Sequence, residues 1–325
     1  MNRSGAGRSL QSRMLTPLFR AVGGRLCAAL ALLACAGGAH AEDGYALWMR
    51  YVPAAVEVAA GYRLQLGEVV APDQTPTQRA ARDELARGLP GVLGTAPPIR
   101  TDLAGDHALV LGTPQSSMLV APFREDIATL GEDGYLIRKV RSGGRDLLLV
   151  AARQDIGVLY GVFHLLRLLQ RGGSLESLDV RESPRVALRV LDHWDNLDRY
   201  VERGYAGSSL WDWQTLPQWR DPRYTDYARA NASLGINGTV LNNVNASALS
   251  LSPAYLAKAA ALADLFRPYG IRVYLSARFS APIELGGLAT ADPLDPEVQR
   301  WWRKKVEEIY ALIPDFGGFL VKANS

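Results

Sequence analysis

Four short clusters in the second half of the 325-residue chain combine residue types that recognise sugars and acids. They are His193-Trp194-Asp195-Asn196, Asn242-Asn243-Val244-Asn245, Ser276-Ala277-Arg278-Phe279 and Lys322-Ala323-Asn324-Ser325. An indole face covers the apolar side of a sugar ring, amides bridge neighbouring hydroxyls, and Arg or Lys pairs with a carboxylate. Trp194, Asn243, Arg278 and Lys322 together suit a polyhydroxylated, anionic small molecule. Tyr205, Trp211, Trp213 and Trp219 follow the first cluster and form the densest aromatic stretch of the chain. Each residue also has a plainer reading. Trp194 can plug a barrel mouth, Arg278 can pair with Glu284 or Asp292, and Lys322 can be a surface lysine. His193 and Asp195 suit scaffold roles at such a turn, and Val244 suits core.

Other chemistries find little support. Beyond residue 41 the chain has no cysteine and only His107, His164 and His193, widely spaced, so neither a metal nor a cofactor is expected. No G-x-S-x-G elbow is present. Asn231, Asn237 and Asn245 each match the glycosylation pattern, but the second falls inside an expected buried strand and all three read as chance.

The clusters stand at the ends of four expected strands, residues 186–193, 236–243, 271–279 and 318–323. Helices are expected between them. One covers 224–234 before Gly235, and a second covers 253–267 after Ser252 and before Pro268-Tyr269-Gly270. A third covers 296–313, with Asp295 as N-cap, Pro296 at the first position and Pro314 as stop. In that helix Val298, Trp302, Val306, Ile309 and Ile313 form one apolar stripe. Strand–helix alternation with continuous apolar strands specifies a parallel sheet. No glycine-rich phosphate loop follows any strand, which favours a barrel over a nucleotide-binding sheet. A closed barrel of this type needs eight strands, so the reading is the first half of a (β/α)8 TIM barrel, over residues 183–325.

Residues 42–182 read as a separate α/β accessory domain. Its expected strands are 45–51, 107–112 and 146–151, and its expected helices are 77–89 and 156–169. Gly172-Gly173 ends the second helix, and Ser183-Pro184 marks the boundary. Residues 1–41 read as a secretory leader, with Arg3, Arg8, Arg13, Arg20 and Arg25, an apolar run over 26–36, and Ala39-His40-Ala41 as cleavage site. Acylation of Cys35 is the rival reading. Removing the leader takes away five arginines, so the formal charge of +3 becomes −2. The basicity is then a targeting feature and gives no argument for nucleic acid. Nothing after the leader is apolar enough to span a membrane.

Residues 189–198, Arg-Val-Leu-Asp-His-Trp-Asp-Asn-Leu-Asp, with Glu202-Arg203-Gly204-Tyr205-Ala206-Gly207, resemble the start of the catalytic barrel in glycoside hydrolase family 67. Residues 237–245 and 317–325 look like later landmarks of that family, and Glu42-Asp43-Gly44-Tyr45 with Leu47-Trp48 like its opening. The resemblance covers essentially the whole chain after the leader. It implies an inverting xylan α-glucuronidase, and the leader makes it an exported one, periplasmic or extracellular. Its substrate would be a xylo-oligosaccharide carrying glucuronic acid or the 4-O-methyl ether. Trp194 and Val244 would shelter the 4-O-methyl side, and Lys322 would hold the carboxylate. The general-acid glutamate would come immediately after Ser325, so no catalytic residue is expected within the chain and the chain itself is expected to be inactive. A homodimer of the full-length form is a further expectation. Two alternatives stand beside this reading: another barrel exo-glycosidase of hexosaminidase type, and a non-catalytic carbohydrate-binding protein.

Overall fold

The computed structural model describes residues 42–245 and 247–321. The leader, Cys35 and Lys322 lie outside the described residues. From Trp48 onward the chain forms one compact unit, built on two sheets.

The first region begins with α1 (Val56–Gln65), β1 (Glu68–Val70) and α2 (Pro76–Leu93). Thr75 caps α2 in a reciprocal box with Gln78, Pro76 occupies the first turn, and left-handed Gly94 closes the helix. There follow β2 (Ile99–Arg100), β3 (His107–Gly112), the short α3 (Arg124–Ala128), β4 (Tyr135–Ser142), β5 (Arg145–Ala152), α4 (Asp155–Gln170) and β6 (Asp179–Glu182). The strand order is β2-β1-β3-β5-β4-β6. The first four are mutually parallel, while β4 runs antiparallel to both β5 and β6. Gly143 and Gly144 both have positive φ and join β4 to β5 in a two-residue hairpin, the geometry that suits the twist of paired strands. Helix α4 lies close on β5, since a Cβ at Gly161 would stand 2.6 Å from the Val150 side chain.

Residues 45–51, read above as a strand, form a turn over 45–48 and no strand after it. Leu47 and Tyr51 have left-handed φ, which breaks a strand's extended run.

The second region holds β7 (Val190–Asp192), α5 (Pro222–Ser233), β8 (Gly238–Val240), α6 (Pro253–Phe266), β9 (Arg272–Ser276), the short α7 (Ala281–Glu284), α8 (Pro296–Leu312) and β10 (Gly318–Leu320). The order β10-β9-β8-β7 is parallel throughout, so β7 and β10 are the edges. Asp295 caps α8 by accepting from the Glu297 and Val298 amides. Glycines open the inner face. A Cβ at Gly238 or Gly317 would stand 2.8 or 2.3 Å from the Tyr274 ring, which lies across the floor between them. The observed strands are shorter than the runs that announce them: β7 begins only at Val190, four residues after the expected start, and β8 and β9 stop at Val240 and Ser276, three residues before the expected ends.

One apolar core runs from Leu85 and Leu89 on α2 and Leu166 on α4 to Tyr224 and Phe266 on the barrel helices. Within it the fully buried carboxylate of Glu84 takes a two-pronged contact from Arg229, at 2.7 and 2.8 Å, and accepts from Tyr51 Oη. Arg189 pairs with Asp133 at 2.6 Å as a second tie between the two sheets.

Candidate functional site

Residues on opposite faces of β7 separate into two roles as the strand leaves the sheet. Val190 lies on the inner face, beside Gly238 and Tyr274, and Asp192 follows two residues on. His193 turns outward onto the helices, with its ring 5.4 Å from those of both Trp211 and Tyr227. Its Nε2 meets Tyr227 Oη at 2.7 Å, and that hydroxyl meets Thr239 Oγ1 at 2.9 Å. Burial holds the imidazole pKa below its usual value, against the pull of Asp195 and Asp192. Trp194 then emerges at the mouth, 40% exposed, and its indole N–H donates to Asp192 Oδ2 at 3.1 Å. Partial burial raises the Asp192 carboxyl, and the indole hydrogen bond opposes that rise.

The next exits are knitted together by side-chain amides. Asn242 Nδ2 donates to the Ser276 carbonyl at 3.1 Å, and Asn242 Oδ1 accepts from the Ser276 amide at 2.8 Å. The pair extends the β8–β9 ladder one step beyond the strands. Asn243 is buried, with its amide N–H donating to the Asp195 carbonyl at 2.8 Å. Its Nδ2 donates to the Trp194 carbonyl at 3.3 Å and to Glu202 Oε2 at 3.1 Å, while its Oδ1 accepts from the Asn245 amide at 2.8 Å. Val244, half-buried, sits in the turn that this last bond closes.

Residues 195–209 fold back as a small hairpin over the β7 exit, with bridges between Asp195 and Val201 and between Tyr200 and Ser208. Asp195 is buried and accepts from Ser209 Oγ and the Leu210 amide; burial raises its carboxyl pKa. Arg199 and Glu202, both in this hairpin, have left-handed φ of +74 and +54.

Trp194, Val244 and Asn243 are therefore neighbours at one mouth. Arg278 is exposed there, and its Nε lies 2.8 Å from Glu284 Oε1 and 3.0 Å from Ser280 Oγ, the structural pairing that its sequence neighbours allow. The aromatic stretch divides. Trp211 and Trp213 are core, Trp219 is exposed beside α5, and Tyr205 stands at the hairpin tip, 79% exposed. Trp211 and Trp213 thus offer no face to a sugar, Trp211 being enclosed by Tyr224, Tyr227 and Phe266.

Asp192 and Glu202 are mouth carboxylates that strand-end reasoning passes over. Asp192 sits before the cluster, and Glu202 lies on a loop whose return to the mouth no local pattern shows. A cleft of about 700 Å³ lies at the opposite ends of the strands, lined by Arg189, Asn237, Arg272 and Tyr274. Barrel enzymes build their sites at the C-terminal ends, and this cleft lies at the other end, against Asp133, Gln154 and Ile156 of the first region. Among the described residues no group of three or more His, Cys, Asp or Glu is placed to hold a metal, and no helix is long and apolar enough to cross a membrane.

Two family models match the chain, the "Glycosyl hydrolase family 67 N-terminus" over residues 47–165 and the "Glycosyl hydrolase family 67 middle domain" over 168–325. Among curated proteins it is 35% identical over 298 residues to the probable alpha-glucuronidase A of Aspergillus fumigatus, covering 91% of this chain and 35% of that one. The alpha-glucuronidase A of Emericella nidulans is also 35% identical, covering 88% of this chain and 34% of its own. The chain thus spans about a third of the length of these relatives. Among solved structures, a GH138 enzyme targeting pectin rhamnogalacturonan II aligns with a TM-score of 0.52 at 15% identity, over 78% of this chain and 30% of that one. That likeness concerns the fold.

Proposed function

The chain belongs to glycosyl hydrolase family 67, and from that premise we propose that it forms the accessory region and the glucuronyl-binding half-barrel of an exported α-glucuronidase. The enzyme hydrolyses, with inversion, the bond joining glucuronic acid or its 4-O-methyl ether to xylose in xylo-oligosaccharides. The observation that carries this reading is Trp194. A large aromatic is left 40% exposed at the C-terminal mouth of a parallel half-barrel, with its indole N–H held by Asp192. An aromatic face so fixed is a platform for the apolar side of a sugar ring. Val244, on the neighbouring exit, forms the adjoining wall for the 4-O-methyl group, and Lys322 pairs with the uronic carboxylate. Arg278, engaged by Glu284, contributes positive charge at the rim.

Inversion needs an acid and a base on opposite faces of the sugar, roughly 6.5–9.5 Å apart. The carboxylates of this mouth are otherwise engaged, Asp192 by Trp194, Asp195 by Ser209 and Glu202 by Asn243. Acid and base come from outside the described residues in this proposal, and residues 42–325 taken alone leave the bond intact. Export rests on the leader ending at Ala41, and N-terminal sequencing of exported protein should begin at Glu42.

The test uses the full-length protein and glucuronosyl-xylotriose with and without the 4-O-methyl group. A charge-assisted contact in a closed pocket is worth about one to two decades in kcat/KM, the loss expected for Lys322→Ala. Trp194→Ala should lose a comparable amount, concentrated on the methylated substrate. Unchanged kcat/KM at unchanged melting temperature in both variants would remove the reading.

A further inference from the structure

We propose that Glu202 is the positioning residue of this mouth: its carboxylate fixes the separation of the Trp194 and Val244 walls and so sets the preference at the sugar's 4-position. The proposal rests on the α-glucuronidase reading above. Glu202 reaches both walls through hydrogen bonds. Its backbone N–H donates to the Trp194 carbonyl at 2.8 Å, and its own carbonyl accepts from Asn196 Nδ2 at 2.5 Å. Its Oε2 accepts from Asn243 Nδ2, whose other contact is the Trp194 carbonyl. Asn243 Oδ1 then closes the turn that carries Val244. Trp194, Glu202, Asn243 and Val244 therefore form one continuous clasp between the β7 and β8 exits.

Two unfavourable features meet in this residue. Its side chain is only 10% exposed, yet the direct partner of its carboxylate is a neutral amide; the nearest cation, Arg203 Nε, is 3.6 Å from Oε1 on a side chain 85% exposed. Its backbone is left-handed at φ +54, a conformation that a glycine or asparagine would adopt more easily. Such costs collect where a site needs them. The requirement here is an acceptor of glutamate length. Asn243 Nδ2 has two hydrogens; Trp194 takes one, and only a side chain reaching from the hairpin takes the other.

Glu202→Asp keeps the charge and tolerates the left-handed backbone, but it is one methylene too short to reach Asn243. Glu202→Gln keeps an acceptor at the same reach. In the full-length protein the quantity to measure is the ratio of kcat/KM for 4-O-methylglucuronosyl-xylotriose over glucuronosyl-xylotriose. The wild type should prefer the methylated substrate. Glu202→Asp should lower the ratio about tenfold, mainly through KM, which is the scale on which one methyl group is discriminated in an apolar pocket. Glu202→Gln should retain the ratio within about twofold. A ratio of one in the wild type, an unchanged ratio in Glu202→Asp, or equal losses in the two variants would overturn the proposal. If the wild type releases nothing from either glycoside, the α-glucuronidase reading fails instead. The clasp is then tested by NMR on residues 42–325. The Trp194 indole and Val244 amide signals should both shift in Glu202→Asp and hold in Glu202→Gln, and no shift in Glu202→Asp would sink it.

Discussion

The two sheets solve different problems with the same strand–helix grammar. In the six-stranded sheet the central strands are dry on both faces, with Val110, Leu149, Val150 and Ala151 fully buried. In the four-stranded sheet the outer face is dry only at its centre, where Thr239, Val273 and Leu275 are buried while Leu191 on the edge is exposed, and on the inner face Val190 and Leu320 are only half-buried and Asp192 and Trp194 are partly exposed. The first region gains its stability from closing a core. The second gains its own from helices packed behind the sheet, and its strand exits carry the polar contacts of Asn242, Asn243 and Asp195.

The largest expected effect falls where the two regions meet. Arg229→Ala leaves the Glu84 carboxylate buried without its two-pronged partner, a loss of about 3–5 kcal/mol for a broken buried pair. Urea unfolding of residues 42–325, followed by probes in both regions, should show both midpoints falling together. A shift confined to one region would break the claim of a shared core.

A smaller effect separates the two sheets directly. Leu149→Ala, in fully buried β5, should cost about 2–5 kcal/mol, whereas Leu320→Ala on half-buried β10 should cost about 1 kcal/mol or less. Equal losses would mean that the inner face of the second sheet is already a closed core.

The smallest effect is a pH dependence common to both regions. His164, on α4 with Nδ1 at 2.8 Å from Tyr135 Oη, and His193 both have pKa values lowered mainly by burial. The unfolded imidazoles take up protons near pH 6.5 while the folded ones resist, so stability is fully present above about pH 6.5 and falls as pH drops below it. The slope cannot exceed about 1.4 kcal/mol per pH unit for each histidine. Asp195, whose carboxyl pKa is raised, contributes the opposite sign at more acid pH, where its folded form holds a proton that the unfolded form has lost. Flat stability between pH 7 and 5.5 would contradict the neutral, buried histidines.

The helices were legible because their signals are local. Asp295 with Pro296 announces the start of α8 through residue types that satisfy free backbone groups, whereas the reading of α2 as 77–89 passes over the Thr75–Gln78 box and the Gly94 cap and stops before Pro90, which the helix contains. Strands were legible where both faces are apolar, as in β3 and β5, and missed where charge interrupts them. Arg138, Lys139 and Arg141 lie along β4, which nevertheless pairs on both sides, because ion pairs such as Arg138–Asp126 at 2.6 Å meet the charge from other elements. Trp194 could be placed at the mouth because it follows β7 by two residues, whereas Val244, by position alone, reads as core and is singled out only by the family resemblance. Glu202 could not be placed, since its position beside Asn243 depends on a hairpin folding back across 41 residues of sequence.

We propose that the second sheet presents a glucuronyl-binding wall for an inverting hydrolase. Proton NMR of the full-length protein acting on 4-O-methylglucuronosyl-xylotriose tests it most directly. An α-linked glucuronic acid released by inversion appears first as the β-anomer, and the signal should fall by about one to two decades in Trp194→Ala. First release of the α-anomer, or no release by the wild type, would contradict the account.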